Sequence, residues 1–170
     1  MPHEKPLPLT TASAYYKPVD VYCGLRDQIL RLPAERCAVG FSGTVGALME
    51  TGFIGAVASL VMLSDGATSL YLSSGGGVIG AGHHKPVASA ASAFLEAAAR
   101  SVNAMQPATE FPLPLPKHTR FFLLSTEGTW TAEAVDQELG NNRQPLSPLF
   151  HLGHAVITAV RRHSRPPGAG

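Results

Sequence analysis

The stretch AVASLVMLSDGATSLYLSSGGGVIGAG, residues 56–82, decides the fold. Val57 to Leu63 is apolar at odd and even positions alike, which is typical of a strand covered on both faces. Ser64-Asp65-Gly66-Ala67 supplies the residues of a tight turn, and Thr68 to Ser73 then alternates leucines with mostly polar residues. The stretch therefore predicts a hairpin of an inner and an outer strand, followed by a glycine loop that leads into a helix.

The chain before this hairpin has weaker patterns. The four prolines of residues 1–19 favour an extended, flexible arm. Asp20 can cap a helix that reaches Leu32, with an apolar stripe that includes Leu25 and Ile29. Residues 34–52 are compatible with strand or helix, and we interpret 45–50 as a short helix that Gly52 ends.

After the glycine loop, Pro86 in the first turn opens the longest predicted helix, which extends to Met105. Its apolar face is rich in alanine, so the backbone can lie close to the sheet, with Phe94 as the large anchor. The segment EFPLPLP, residues 110–116, predicts an extended connector or an edge strand, because proline cannot donate to an inner ladder.

The last third of the chain predicts a second hairpin and a final helix. His118 to Ser125 and Thr129 to Asp136 are strand-like and flank a Thr-Glu-Gly turn. Ser147-Pro148 then starts a helix that ends at His163, where basic residues suit the helix dipole. Residues 164–170 are expected to form a flexible tail.

These elements predict one α+β domain over residues 20–163, an α/β/α sandwich. Two hairpins require an antiparallel sheet, which we expect to have four or five strands. Strands that are apolar on both faces need cover on both sides. We expect the long middle helix on one face and the N-terminal and C-terminal helices on the other.

Composition excludes several classes of protein. The net charge is +1 and only 15% of residues are charged, so no nucleic-acid or anionic-membrane surface is indicated. Cys23 and Cys37 lack the spacing of a zinc site or a disulfide framework. No secretory signal is present, and Glu50 interrupts the most apolar window. The expectation is a cytoplasmic protein without a metal or other cofactor.

The order of elements resembles the roadblock and longin group of profilin-like domains. The resemblance covers roughly residues 40–162 and rests on Gly55-Ala56-Val57, Ser64-Asp65-Gly66 and Gly75-Gly76-Gly77. It implies that 129–136 lies beside 57–63, although the polar parity of 129–136 is more typical of an edge strand. The segments METGFIGAVASLVML, SSGGGVIGAG and PLSPLFHLGHAVITAVR resemble an uncharacterised bacterial family. Roadblock-like domains commonly act as dimeric adaptors and regulators, so the resemblance implies an interaction module.

The first candidate site is the loop from Gly75 to Lys85. Residues 75–80 match G-x-G-x-x-G, but the preceding strand belongs to a hairpin and the helix starts late, which argues against a dinucleotide site. The glycines instead suit a sharp bend close to another backbone. The alternative is anion binding by Gly75, Gly76, Gly77, His83, His84 and Lys85 at the start of a helix.

The second candidate is a polar stripe on the final helix. His151, His154, Arg161 and Arg162 lie opposite its apolar face on a helical wheel. The two histidines could share a metal, to which His83 and His84 could add ligands, but a solvated polar stripe explains the pattern. Such a stripe could equally face the acidic surface of a partner protein.

No catalytic residue is predicted, because the chain has no GxSxG motif and few carboxylates. We expect a non-catalytic, self-associating interaction or regulatory module that forms a homodimer or binds another protein. A small-ligand or anion-binding domain that uses residues 75–85 is the alternative. An enzyme of unassigned class is a third reading.

Overall fold

The computed structural model describes residues 15–164, which form an α+β fold around one open antiparallel sheet. The described part of the chain has seven strands in the order β4-β3-β2-β1-β6-β7-β5. The strands are β1 (Thr44–Gly52), β2 (Val57–Leu63), β3 (Thr68–Leu72), β4 (Gly77–Val78), β5 (Gln106–Pro107), β6 (His118–Ser125) and β7 (Gly128–Val135). The helices are α1 (Asp20–Leu30), α2 (Lys85–Arg100), α3 (Asp136–Gly140) and α4 (Ser147–His163).

Both predicted hairpins are confirmed. β2 pairs with β3, and β6 pairs with β7, each antiparallel. In the first turn Asp65 Oδ1 accepts a hydrogen bond from the Ala67 N–H at 2.9 Å, and Gly66 has a φ of 98°. Local turn chemistry of this kind fixes the register of a hairpin.

The expected short helix over residues 45–50 is wrong, because these residues belong to β1, the middle strand of the sheet. Every residue of β1 is buried. Helix-forming residue types dominate this segment, but its apolar side chains on both parities are buried only if both faces of a strand are covered. Tertiary packing therefore overrides local propensity here.

The expected four or five strands were too few. The additional members are β1 and two short edge strands, β4 and β5. Residues 110–116 are an extended connector and not an edge strand, because β5 forms that edge next to β7. β7 lies between β6 and β5, and the neighbours of β2 are β1 and β3, so the position beside 57–63 that the resemblance implied for residues 129–136 is wrong.

One face of the sheet is covered by α2 and α4 together. Phe94 of α2 and Val156 of α4 belong to one buried cluster with Met49 and Phe121 of the sheet. At Gly153 of α4 a Cβ would overlap the sulfur of Met49, so a larger residue would force the Met49 side chain to move. The expectation that the C-terminal helix lies opposite the middle helix is therefore wrong.

The other face is covered by α1 and the proline segment, which we define as residues 110–116. Tyr22 and Leu30 of α1 pack with Leu113 of that segment on Phe122 of the sheet. The buried stripe of α1 lies one position further along the chain than the predicted apolar stripe. Tyr22, Arg26 and Leu30 are buried, whereas Leu25, Ile29 and Leu32 are half-buried.

Most of the predicted arm and tail, residues 1–14 and 165–170, lies outside the described residues. Within the described part, Tyr16 is buried and donates a hydrogen bond of 2.8 Å to the Pro114 carbonyl. Among residues 15–164, no helix combines the length and hydropathy that crossing a membrane requires.

Candidate functional site

The glycines of the first candidate site form the tight turn between β3 and β4. Gly75, Gly76 and Gly77 all have positive φ, and the Gly75 N–H donates to the Leu72 carbonyl at 3.0 Å. A Cβ on Gly77 would collide with the carbonyl oxygen of Leu70 on the neighbouring strand. The glycines therefore serve a sharp bend and a close backbone approach.

The basic residues of that candidate lie at the other end of β3. The Ala81–His83 turn packs against the β2–β3 turn, where a Cβ on Gly82 would overlap the Gly66 carbonyl. The structure thus separates His83, His84 and Lys85 from the glycine turn.

Three histidines lie close together near the Ala81–His83 turn. The ring of His84 lies 4.0 Å from that of His83 and 5.2 Å from that of His163 at the end of α4. Desolvation and these two neighbouring rings lower the pKa of His84, which favours its neutral form. Within residues 15–164 no group of three His, Cys, Asp or Glu side chains is arranged to hold a metal ion.

The second candidate, the stripe on α4, is exposed. His151 bonds Asn142 through Nε2 at 2.9 Å, and the ring of His154 lies 4.4 Å from that of Phe150. Desolvation by the surrounding side chains is the largest effect on His154 and lowers its pKa. Arg161 and Arg162 lie about two turns beyond His154 on the same helix and are exposed.

A surface that the sequence did not indicate lies at one end of the sheet. We call it the apolar end. It consists of large exposed apolar side chains from α1, the strand ends and the connecting turns: Tyr15, Val19, Val21, Phe53, Ile54, Leu72, Leu115 and Val135.

Backbone contacts hold the pieces of the apolar end together. The Val19 N–H donates to the Ser73 carbonyl at 2.9 Å, which places the start of α1 beside the end of β3. The Lys117 N–H donates to the Gly52 carbonyl at 2.8 Å, which brings the proline segment to the β1–β2 turn. That turn carries Phe53 and Ile54, which are 53% and 88% exposed.

A row of buried and partly buried polar side chains crosses the sheet on the face that α1 covers. The strand register aligns Tyr71, Ser59, Glu50, Arg120 and Glu133 on consecutive strands from β3 to β7. Arg120 and Glu133 form an ion pair at 2.5 Å. Ser59 donates to Glu50 at 2.5 Å, and its hydroxyl also contacts that of Tyr22 at 2.8 Å.

Arg26 of α1 completes the row. Its Nε and Nη2 lie 2.7–3.1 Å from the two carboxylate oxygens of Glu50, which is 0% exposed. Burial disfavours the charged form of Arg26, but Glu50 more than offsets this and raises the Arg26 pKa. Burial and then the Glu50 charge raise the pKa of Tyr22.

The row also anchors the proline segment. Arg26 donates to the Pro112 carbonyl at 3.3 Å, and Glu133 accepts from the Leu115 N–H at 2.9 Å. A carboxylate that is fully buried and already bonded by Arg26 and Ser59 offers no base to a substrate. The row therefore fastens α1 and the proline segment to the sheet.

One sequence signal could have identified the row. Glu50 stands alone in the most apolar window of the chain, and a charge in such a strand must be paired. The identity of its partner, Arg26, could not be derived from spacing, since 24 positions separate them.

Comparison with known proteins gives this chain no relative. No protein-family model, no curated protein and no solved structure matches it.

Proposed function

We propose that the protein is a non-catalytic interaction or regulatory module that associates with a second copy of itself through the apolar end. The observation that carries this proposal is the concentration of exposed large apolar side chains at that end of the sheet. Concentrations of large exposed apolar side chains often mark interaction sites.

The size of the surface suits a dimer. From their exposed fractions, the apolar-end side chains present on the order of 800 Å², the area that one partner contributes to a specific interface. The β1–β2 turn, Phe53-Ile54-Gly55-Ala56, contains no charge, so the turn itself adds no like-charge repulsion between two copies. The resemblance to roadblock domains points the same way, because such domains commonly pair.

The anion-binding alternative has less support. The Gly75 N–H is bonded within its own turn, and the basic residues lie at the opposite end of β3. We therefore expect no thermal stabilisation by phosphate or nucleotides. A ligand present at 100 times its dissociation constant would add about 2.7 kcal/mol to the free energy of unfolding.

Light scattering coupled to size-exclusion chromatography tests the dimer. Ile54→Asp places a charge in the apolar end, and because Ile54 is 88% exposed the fold should tolerate it. We expect wild type to dimerise with concentration and Ile54→Asp to remain monomeric. The control is Val39→Asp, a 54% exposed residue before the other end of β1, which should behave as wild type.

Two outcomes would count against the proposal. The first is a monomeric wild type at every accessible concentration, and the second is a dimer that Ile54→Asp leaves intact. The apolar end could instead be occupied by this chain's own N-terminal segment, and a variant that lacks residues 1–14 distinguishes that occupant from a second copy. Dimerisation of that variant supports the second copy, and its loss would assign the contact to the segment.

A further inference from the structure

A pocket of about 510 Å³ lies at the opposite end of the sheet from the apolar end. It is more than twice as large as the pocket of about 230 Å³ beside the glycine turn. Its apolar wall consists of Val102 and Met105 after α2, Leu123 of β6 and Trp130 of β7. This volume falls in the range of small-molecule sites, which combine an apolar wall with a few polar groups.

Charge limits what the pocket can accept. Among its lining residues, all within the described part of the chain, Glu127 alone is charged. The absence of a lining cation disfavours phosphates and carboxylates, whose charge would face the Glu127 carboxylate. A pocket that is lined by both a tryptophan and a carboxylate favours an organic cation, because tryptophan is the best aromatic partner for one.

A buried hydroxyl without a hydrogen-bond partner belongs to one of the residues that line the pocket. Thr44 lines the same pocket, is 1% exposed, and its Oγ1 has no hydrogen-bond partner. Buried hydroxyls are normally paired with protein or with a bound molecule. Ser42, on the same rim, has a left-handed backbone with φ 51°, and such strain in a non-glycine residue recurs at ligand sites.

We propose that this pocket binds a small organic amine, with the apolar body of the ligand against Trp130 and Met105 and its ammonium group facing Glu127. Thr44 is one of the residues that line the pocket. This site is separate from the apolar end, so it does not depend on dimerisation.

Three probes with one apolar body and different charges test the proposal: 2-phenylethylamine, 2-phenylethanol and phenylacetate. Trp130 is the one tryptophan of the chain, so its fluorescence reports on the pocket directly. For probes of this size we expect saturable binding of the amine with a dissociation constant on the order of 1 mM. The alcohol should bind more weakly, and phenylacetate weakest of all.

Glu127→Gln provides the sharper test. It should weaken the amine roughly fivefold, the effect of an exposed ion pair, and leave the alcohol unchanged. The control Glu110→Gln removes an exposed carboxylate from the proline segment. It should change the binding of neither the amine nor the alcohol. The proposal is overturned if no probe gives a saturable response, if phenylacetate binds as tightly as the amine, or if Glu127→Gln weakens all three probes equally.

Discussion

An Arg26→Met substitution would remove the counter-ion of a buried carboxylate. Arg26 contacts Glu50 at 2.7, 2.9 and 3.1 Å, and the two side chains are 6% and 0% exposed. In the variant, the hydroxyls of Ser59 and Tyr22 are the remaining donors to Glu50. Leaving a buried charge without its partner costs about 3–5 kcal/mol. We expect the free energy of unfolding to fall by that amount, out of a typical total of about 5–15 kcal/mol.

The double variant Arg26→Met with Glu50→Met separates the missing partner from lost packing. Both charges are then absent and the side-chain volumes are similar, so no buried ion remains unpaired. Replacement of a buried ion pair by apolar residues is often neutral or stabilising. We therefore expect the double variant to lie within about 2 kcal/mol of wild type, with a coupling energy of at least about 2 kcal/mol.

Urea unfolding followed by circular dichroism gives the free energies of the four proteins in this cycle. The linear extrapolation also yields the slope with urea, which should be similar in all four if the cycle reports stability alone. The reasoning is refuted if Arg26→Met costs less than about 1 kcal/mol, or if the losses of the single variants simply add in the double variant.

Three further substitutions follow from the structure. Gly77→Ala should destabilise more than Gly76→Ala in urea unfolding, because a Cβ at 77 meets the Leu70 carbonyl whereas a Cβ at 76 meets open space. Burial, aided by nearby carboxylates, raises the pKa of Tyr16 from 10.0 to about 12. Tyr16 therefore ionises in the unfolded state before it does in the folded state, and the free energy of unfolding falls as pH rises from 10 to 12. Tyr16→Phe should reduce that alkaline loss in unfolding curves measured across this range. Thr44→Val removes an unpaired buried hydroxyl at nearly constant shape, so without ligand its melting temperature should equal or exceed that of wild type.

Both hairpins could be predicted from the sequence because their determinants are local. Asp65 and Gly66 complete a turn within four residues of Leu63, and the alternation of each strand is visible over its own length. The helices α2 and α4 were predictable for the same reason, since Pro86 and Pro148 mark their first turns. Elements whose determinants lie a few positions apart can therefore be predicted from a single sequence.

The central strand and the buried row could not be predicted this way. β1 contains good helix formers, and it is a strand because β2 and β6 pair with it while helices and the proline segment cover its faces. The apolar end likewise gathers residues as far apart as Val19 and Leu115. Neither has a signature within a short window of sequence.

The sequence by itself determined the α+β class, the two hairpins and the long helices, because each depends on neighbours a few positions away. Only the tertiary structure decided which strand is central, which face each helix covers, and that Glu50 meets Arg26 and Arg120. Those outcomes depend on pairing across 24 to 70 positions, where the gain from burial and strand register must exceed the entropy of closing the intervening chain.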